Sequence, residues 1–222
     1  MTQPTLTAKQ QTLQQDACDV MRHAYQQGLI STRDGNISLA MPEHNGFLIS
    51  ASGVIKHALT PAQFVFIDTA ADGTKPVNSA SPSGELELHR RLQGLFHGGM
   101  LTVLHLHATH IVAALYAGYR LRDISADFPE VTRYTRVGAD VAALPATSEE
   151  LAEACETAFS PTFGPKPHIV GLDRHGVVAV GRTPWEAYEH VERLEHICRI
   201  VLSSGRKTAI SHIAYTGVDH AR

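Results

Sequence analysis

The chain has 222 residues, with 19 Lys+Arg against 22 Asp+Glu and a formal net charge of −3. At 43% hydrophobic and 18% charged it can bury a full core, as one large domain or two small ones. That balance excludes the basic footprint of a nucleic-acid or anionic-membrane binder.

No stretch approaches the roughly 18 apolar residues of a membrane span. The N-terminus, MTQPTLTAKQQTLQQDA, is too polar for a signal peptide, which places the chain in the cytoplasm. Cys18, Cys155 and Cys198 are widely spaced among small and apolar residues, and buried reduced thiols are expected. Only five of the cations are Lys, which leaves few candidates for Schiff-base chemistry. Fourteen His is the unusual feature of the composition.

In chain order, Leu13, Ala17, Val20, Met21 and Ala24 recur at helical spacing, with Gly28 closing the helix. The polar turn Arg33-Asp34-Gly35-Asn36 then separates short apolar runs. GFLISASGVIK reads as a strand ending in a Ser/Gly loop, FVFIDT (64–69) as a strand, and ADGTKP as the turn after it. Helical spacing returns at 84–98 through Leu88, Leu92, Leu95 and Phe96. MLTVLHLHA (100–108) is a strand that leads into a helix, THIVAALYAGY. Residues 120–147 lack periodicity. Their Ile124, Phe128, Val131, Tyr134 and Val137 suit either a partner-facing region or a cap on the domain's own core. Thr147-Ser148-Glu149-Glu150 starts a capped helix. HIVGLD and VVAVG are strands joined through Arg174-His175-Gly176. Thr183 as N-cap and Pro184 at the first helical position open the longest helix, which Gly205 stops. Strands and helices are mingled, with short strand-to-strand connections. The predicted fold is a single-domain three-layer α/β/α sandwich around a largely antiparallel sheet, with 206–222 as a tail that is mobile or closes over the site.

His105-Leu106-His107 is the sharpest local feature. Alternate residues of a strand share a face, so the two imidazoles sit roughly 6.6 Å apart at Cα and can converge on one metal. The plain alternative is one hydrogen-bonded core histidine and one surface histidine. Glu85, in Ser81-Pro82-Ser83-Gly84-Glu85, starts the helix that feeds this strand and could serve only the helix dipole. His175 lies in a strand-turn-strand junction, where an exposed residue is the usual outcome.

The ordered set GNIS, ISASG, SPSGE, HLH and RHGVV resembles the class II aldolase/adducin-head family over about residues 13–204. The resemblance implies that residues 1–205 form one class II aldolase/adducin-like domain. It implies that His105, His107 and His175 bind Zn2+ (or Mn2+ or Fe2+), with Glu85 as fourth ligand and general acid/base. It further implies an anion pocket for a phosphate or carboxylate at Asn36, Ser52, Gly53, Ser83 and Gly84, where small residues let backbone N–H groups approach. The implied activity is a lyase of the aldolase type, cleaving or forming a C–C bond in a phosphorylated or carboxylated hydroxy-ketone sugar through a metal-held enediolate. The implied assembly is a homotetramer whose neighbouring subunit lends a tyrosine; Tyr119, Tyr134 and Tyr215 are unranked candidates.

Two departures bear on the substrate. The family places two serines before this Glu, whereas Ser83-Gly84 stands here and loses one hydroxyl. Related epimerases carry Asp in place of Glu85, which disfavours epimerisation. Same-site dehydration (as in methylthioribulose-phosphate dehydratases) and decarboxylation stay open, and a non-catalytic scaffold like the adducin head is a third alternative. A Schiff-base aldolase at Lys56 ranks last, since nothing in the sequence buries that side chain.

Overall fold

A computed structural model describes residues 4–69, 80–96 and 101–205. The predicted turn ADGTKP, Tyr215 and the tail 206–222 lie outside the described residues. Six strands form one sheet: β1 (Asn36–Met41), β2 (Gly46–Ser50), β3 (Phe64–Asp68), β4 (Thr102–Leu106), β5 (Ile169–Leu172) and β6 (Gly176–Gly181). Their order is β3-β2-β1-β4-β6-β5, and every neighbouring pair is antiparallel.

Among the described residues seven α-helices cover the sheet: α1 (Ala8–Gln26), α2 (Leu86–Leu95), α3 (Thr109–Tyr116), α4 (Leu121–Ala126), α5 (Pro129–Tyr134), α6 (Glu149–Phe159) and α7 (Pro184–Ser204). Thr7 opens α1 with a capping box, its side chain accepting from the Gln10 N–H while the Gln10 side chain accepts from the Thr7 N–H. Ser148 and Thr183 cap α6 and α7, and Gly205 ends α7 in the left-handed region.

Alternation along the strands fixes the two faces. Ile37 and Leu39 of β1, Leu104 and Leu106 of β4, and Val177 and Ala179 of β6 join the core under α1, α3 and α7. Val103, Val178 and Val180 point the other way, into the core under α2 and α6. The architecture is therefore the three-layer sandwich predicted from the sequence.

The stretch 120–147 is not a loop without regular structure. It contains α4 and α5, and its Val137 and Val141 bridge in parallel to β5. Ile124 and Val131 are buried in the main core, with Phe128 and Val137 packed against it. These residues cap the domain's own core, and only Tyr134 of the five is exposed, at 49%. All three cysteines are free and buried, and burial pushes the Cys18 and Cys155 thiols up to about 12.

Candidate metal centre

His105 sits near the end of β4, directly opposite Asn36 of β1 and Val178 of β6. Its side chain takes the face shared with Val103, which is the α2 face. The His105 Nδ1–H donates to the Val177 carbonyl at 3.1 Å. That bond fixes the tautomer and turns the Nε2 lone pair toward the site, the usual outer-shell arrangement of a metal-binding imidazole.

His107 lies one residue beyond β4. The chain there is held by Glu195 of α7, whose carboxylate accepts from the His110 and Ile111 N–H groups at the start of α3. His175 comes from the β5–β6 turn. A Cβ on Gly176 would meet the Leu106 carbonyl oxygen at 2.3 Å, so only glycine lets this turn close onto the end of β4.

The three rings pack edge to face, with centroids 4.9 Å apart for His105–His107, 4.8 Å for His105–His175 and 5.1 Å for His107–His175. One nitrogen from each lies within 4.8 Å of the others. The His105 and His107 Nε2 atoms are 3.0 Å apart. Two nitrogens bound to one Zn2+ at about 2.0–2.1 Å and roughly 90–109° stand roughly 2.9–3.4 Å apart, so the pair fits. Among the described residues the buried Nδ1 of His175 has no hydrogen-bond partner, and the metal-site pattern supplies a reason for an imidazole with capacity to spare.

Charge state favours ligation. Burial, then the neighbouring His107, His175 and His89, hold His105 well below the ordinary histidine range. Burial and His175 lower His107, against the pull of Asp34, whose Oδ2 is 3.8 Å from its Nδ1. Three imidazoles crowd one point, two of them held toward the neutral form that ligates, a donor set suited to a divalent cation.

Glu85 precedes α2 as its N-cap residue and is 7% exposed. Its Oε1 is 3.9 Å from His175 Nε2 and accepts from the Thr147 N–H at 3.0 Å. The carboxylate thus stands beside the histidine cluster, not within it. The predicted anion residues come from three loops laced together. The Ser52 N–H donates to the Ser81 carbonyl, and the Ser83 N–H donates to the Ser50 carbonyl. Gly53 adopts φ +71° with open space around it. Asn36 lies beside His105 at the start of β1. A cavity of about 660 Å³ adjoins the same β5–β6 turn, lined by Arg120, Arg122, Asp140 and Arg174, but by none of the three imidazoles.

Two features escaped sequence reasoning. The first is His89, one helical turn after Glu85 and fully buried. Its Nε2–H donates to Asn36 Oδ1 at 2.5 Å, its Nδ1 accepts from Ser38 Oγ at 2.7 Å, and Gln93 Nε2–H donates to that same oxygen at 2.9 Å. The chain of bonds orients the Asn36 amide so that its NH2 group is left as a donor. The second is Lys56, which is 2% exposed with its Nζ donating to the Ala51 carbonyl at 3.4 Å. Burial lowers its pKa, so the expectation of an unburied Lys56 is corrected: folding of the 51–56 loop back on itself encloses it.

The buried histidines also set an acid limb of stability. Burial holds His89 at about 3 and His190 at about 4, against an ordinary 6.5. Below 6.5 the unfolded chain takes up protons first, so stability present above 6.5 is lost progressively down to about 3 and 4. Each group costs about 2 kcal/mol at pH 5 relative to pH 7. Unfolding free energies from urea titration of metal-free protein at the two pH values are expected to converge by about that amount in His89→Gln. An unaltered pH dependence in the variant would show that His89 is not buried neutral.

The comparisons with known proteins bear on the family. The sequence profile of the Class II Aldolase and Adducin N-terminal domain matches residues 15–202. The methylthioribulose-1-phosphate dehydratase of Bacillus subtilis (strain 168) is 24% identical over 198 residues, spanning 86% of this chain and 92% of that protein. The protein of the same name from Geobacillus kaustophilus (strain HTA426) is 24% identical over 182 residues, 74% of this chain and 79% of its own. The crystal structure of L-fuculose-1-phosphate aldolase from Thermus thermophilus superposes with a TM-score of 0.68 at 28% identity, covering 88% of this chain and 98% of that one. With a match over residues 15–202, most of its length, the chain belongs to the class II aldolase and adducin N-terminal domain family.

Proposed function

We propose that this chain is a Zn2+-dependent lyase acting on a ketose 1-phosphate. The carrying observation is the convergence of three imidazoles with one carboxylate at its edge. An adducin-like scaffold has no use for that set. His105, His107 and His175 would hold the metal, which when bound polarises a substrate carbonyl as a Lewis acid. Glu85 moves a proton at the carbon next to that carbonyl. In dehydration that carbon gives up its proton, and the electron pair left behind expels the hydroxyl one carbon further on, which leaves as water. In cleavage that further hydroxyl loses its proton and becomes a carbonyl as the C–C bond breaks. The pair left on the carbon next to the first carbonyl is then shared with that carbonyl oxygen until Glu85 returns a proton to it. Asn36, Ser52, Gly53, Ser83 and Gly84 bind the phosphate through the Gly53 and Gly84 N–H groups, the two serine hydroxyls and the amide that His89 orients.

Retro-aldol cleavage and dehydration share this proton transfer. Structural likeness to the Thermus aldolase supports the first. The relatives named methylthioribulose-1-phosphate dehydratase support the second. Both names specify a ketose phosphorylated at carbon 1. Mass spectrometry after incubation of the Zn2+-loaded protein with L-fuculose 1-phosphate and with methylthioribulose 1-phosphate separates them. Cleavage gives two three-carbon fragments from the first sugar; dehydration removes one water from the second. Turnover of neither sugar phosphate would overturn the ketose 1-phosphate assignment. The homotetramer inferred from the family resemblance would add a neighbour's tyrosine at the far hydroxyl; of the described candidates Tyr134 is exposed, with Arg133 and Arg193 against its ring.

A further inference from the structure

Thr147 has an unusual backbone. It adopts φ +61°, in the left-handed region, where a β-branched residue is strained. Arg174 and Asn45 are the other described non-glycine residues there, and neither is β-branched. Strain of this kind persists only where the surroundings enforce it. At Thr147 the conformation has a consequence: it turns the N–H onto Glu85 Oε1, at 3.0 Å.

A second observation concerns the neighbouring glycine. Gly84 does not have positive φ, so its own backbone does not call for glycine. A Cβ built at 84 would meet the Thr147 Cγ2 methyl at 3.0 Å. The position where the family pattern has a second serine is thus closed by the side chain of Thr147. Residue 84, next to Glu85 in the chain, and residue 147, which donates to its carboxylate, thus meet each other directly.

We propose that Thr147 is a positioning residue that holds Glu85 beside the three-histidine cluster, free to move protons instead of serving as a permanent fourth ligand, and that Gly84 makes room for it. This rests on the reading of the cluster as a metal centre and of Glu85 as its acid/base group. The N–H and a bound cation compete for the same carboxylate oxygens. Removing the N–H releases the carboxylate toward the cation, which strengthens metal binding and misplaces the base.

The test is the Zn2+ dissociation constant of the full chain, measured against a chelating dye, in wild type, Thr147→Pro, Glu85→Gln and the double variant. Proline has no N–H and cannot take a positive φ. Thr147→Pro is expected to bind Zn2+ about tenfold more tightly, the equivalent of one hydrogen bond to a charged group. In the Glu85→Gln background the same change is expected to have no effect. Turnover in Thr147→Pro should fall about 10–100-fold with KM moving little, because a base displaced by about 1 Å acts poorly. Gly84→Ser supplies an independent route should the proline variant fail to fold. It pushes the Thr147 methyl aside, so Zn2+ binding should tighten by a smaller factor, and adding Thr147→Gly should reverse that shift. Dissociation constants that stay within twofold in both variants, or that shift equally without Glu85, would overturn the proposal. Absence of Zn2+ binding in wild type would instead overturn the metal centre on which it rests.

Discussion

Glu85→Gln is expected to lower turnover of the sugar phosphate by about 10² to 10⁴, the range typical for losing a general acid/base, while Zn2+ content stays near one per chain. The geometry separates these two effects. Gln keeps the length of Glu, and its Oε1 can still accept from the Thr147 N–H that fixes the carboxylate at 3.0 Å. The surrounding loop therefore has no reason to move. What the substitution removes is the charge and the ability to take up a proton. The three imidazoles are untouched, and the carboxylate approaches His175 only to 3.9 Å. Steady-state kinetics with metal analysis on the same sample checks both halves. Near-normal turnover would reassign Glu85 to the electrostatics of the first turn of α2, the ordinary role of an acidic residue at a helix start. Loss of Zn2+ in step with turnover would make it a ligand.

The parts of this site that can be read from the sequence are those encoded by local periodicity. His105 and His107 are two apart on a strand, so their shared face follows from the pleat alone. Their rings do meet edge to face, although His107 falls just past the strand end. The bounds of α7 are also local: Thr183, Pro184 and Gly205 mark them in the sequence, and Thr183 accepts from Glu186 in the fold. Long-range partners are not local. His89 bonds to Asn36 across 53 positions, and in the sequence it is one polar residue among several on an amphipathic helix. Thr147 meets Glu85 across 62 positions, through a backbone N–H that no sequence pattern reports. The segment 120–147 reads as aperiodic because α4 and α5 have six residues each and no side-chain caps. Helices that short owe their existence to packing on the core, not to an intrinsic signal. For the same reason His175 and Glu85 can be joined to the HLH pair only by resemblance to a family, since the closure of the β5–β6 turn onto β4 depends on how close two backbones come at Gly176.

His105→Ala and His107→Ala are each expected to abolish stoichiometric Zn2+ binding, weakening it by well over the roughly 10–100-fold that outer-shell changes cost. A site with three protein ligands retains only two after either change, too few for a closed or nearly closed Zn2+ shell. The two variants differ in what else they disturb. His105 is 1% exposed and its Nδ1–H holds the Val177 carbonyl, so its removal leaves a cavity and an unpaired acceptor between β4 and β6. A stability loss of about 1–3 kcal/mol follows for the metal-free chain. His107 is partly exposed at the surface end of the cluster, with Asp34 as its outer neighbour. Its loss should change the metal-free stability by less than about 1 kcal/mol. Zinc analysis, together with urea unfolding of chelator-treated protein, distinguishes these terms. Wild type should gain stability on adding Zn2+ and both variants should not, because only a ligand that binds the folded chain shifts the equilibrium. Variants that kept full zinc and full turnover would show that the convergence of His105, His107 and His175 is packing between strand ends and not a metal centre.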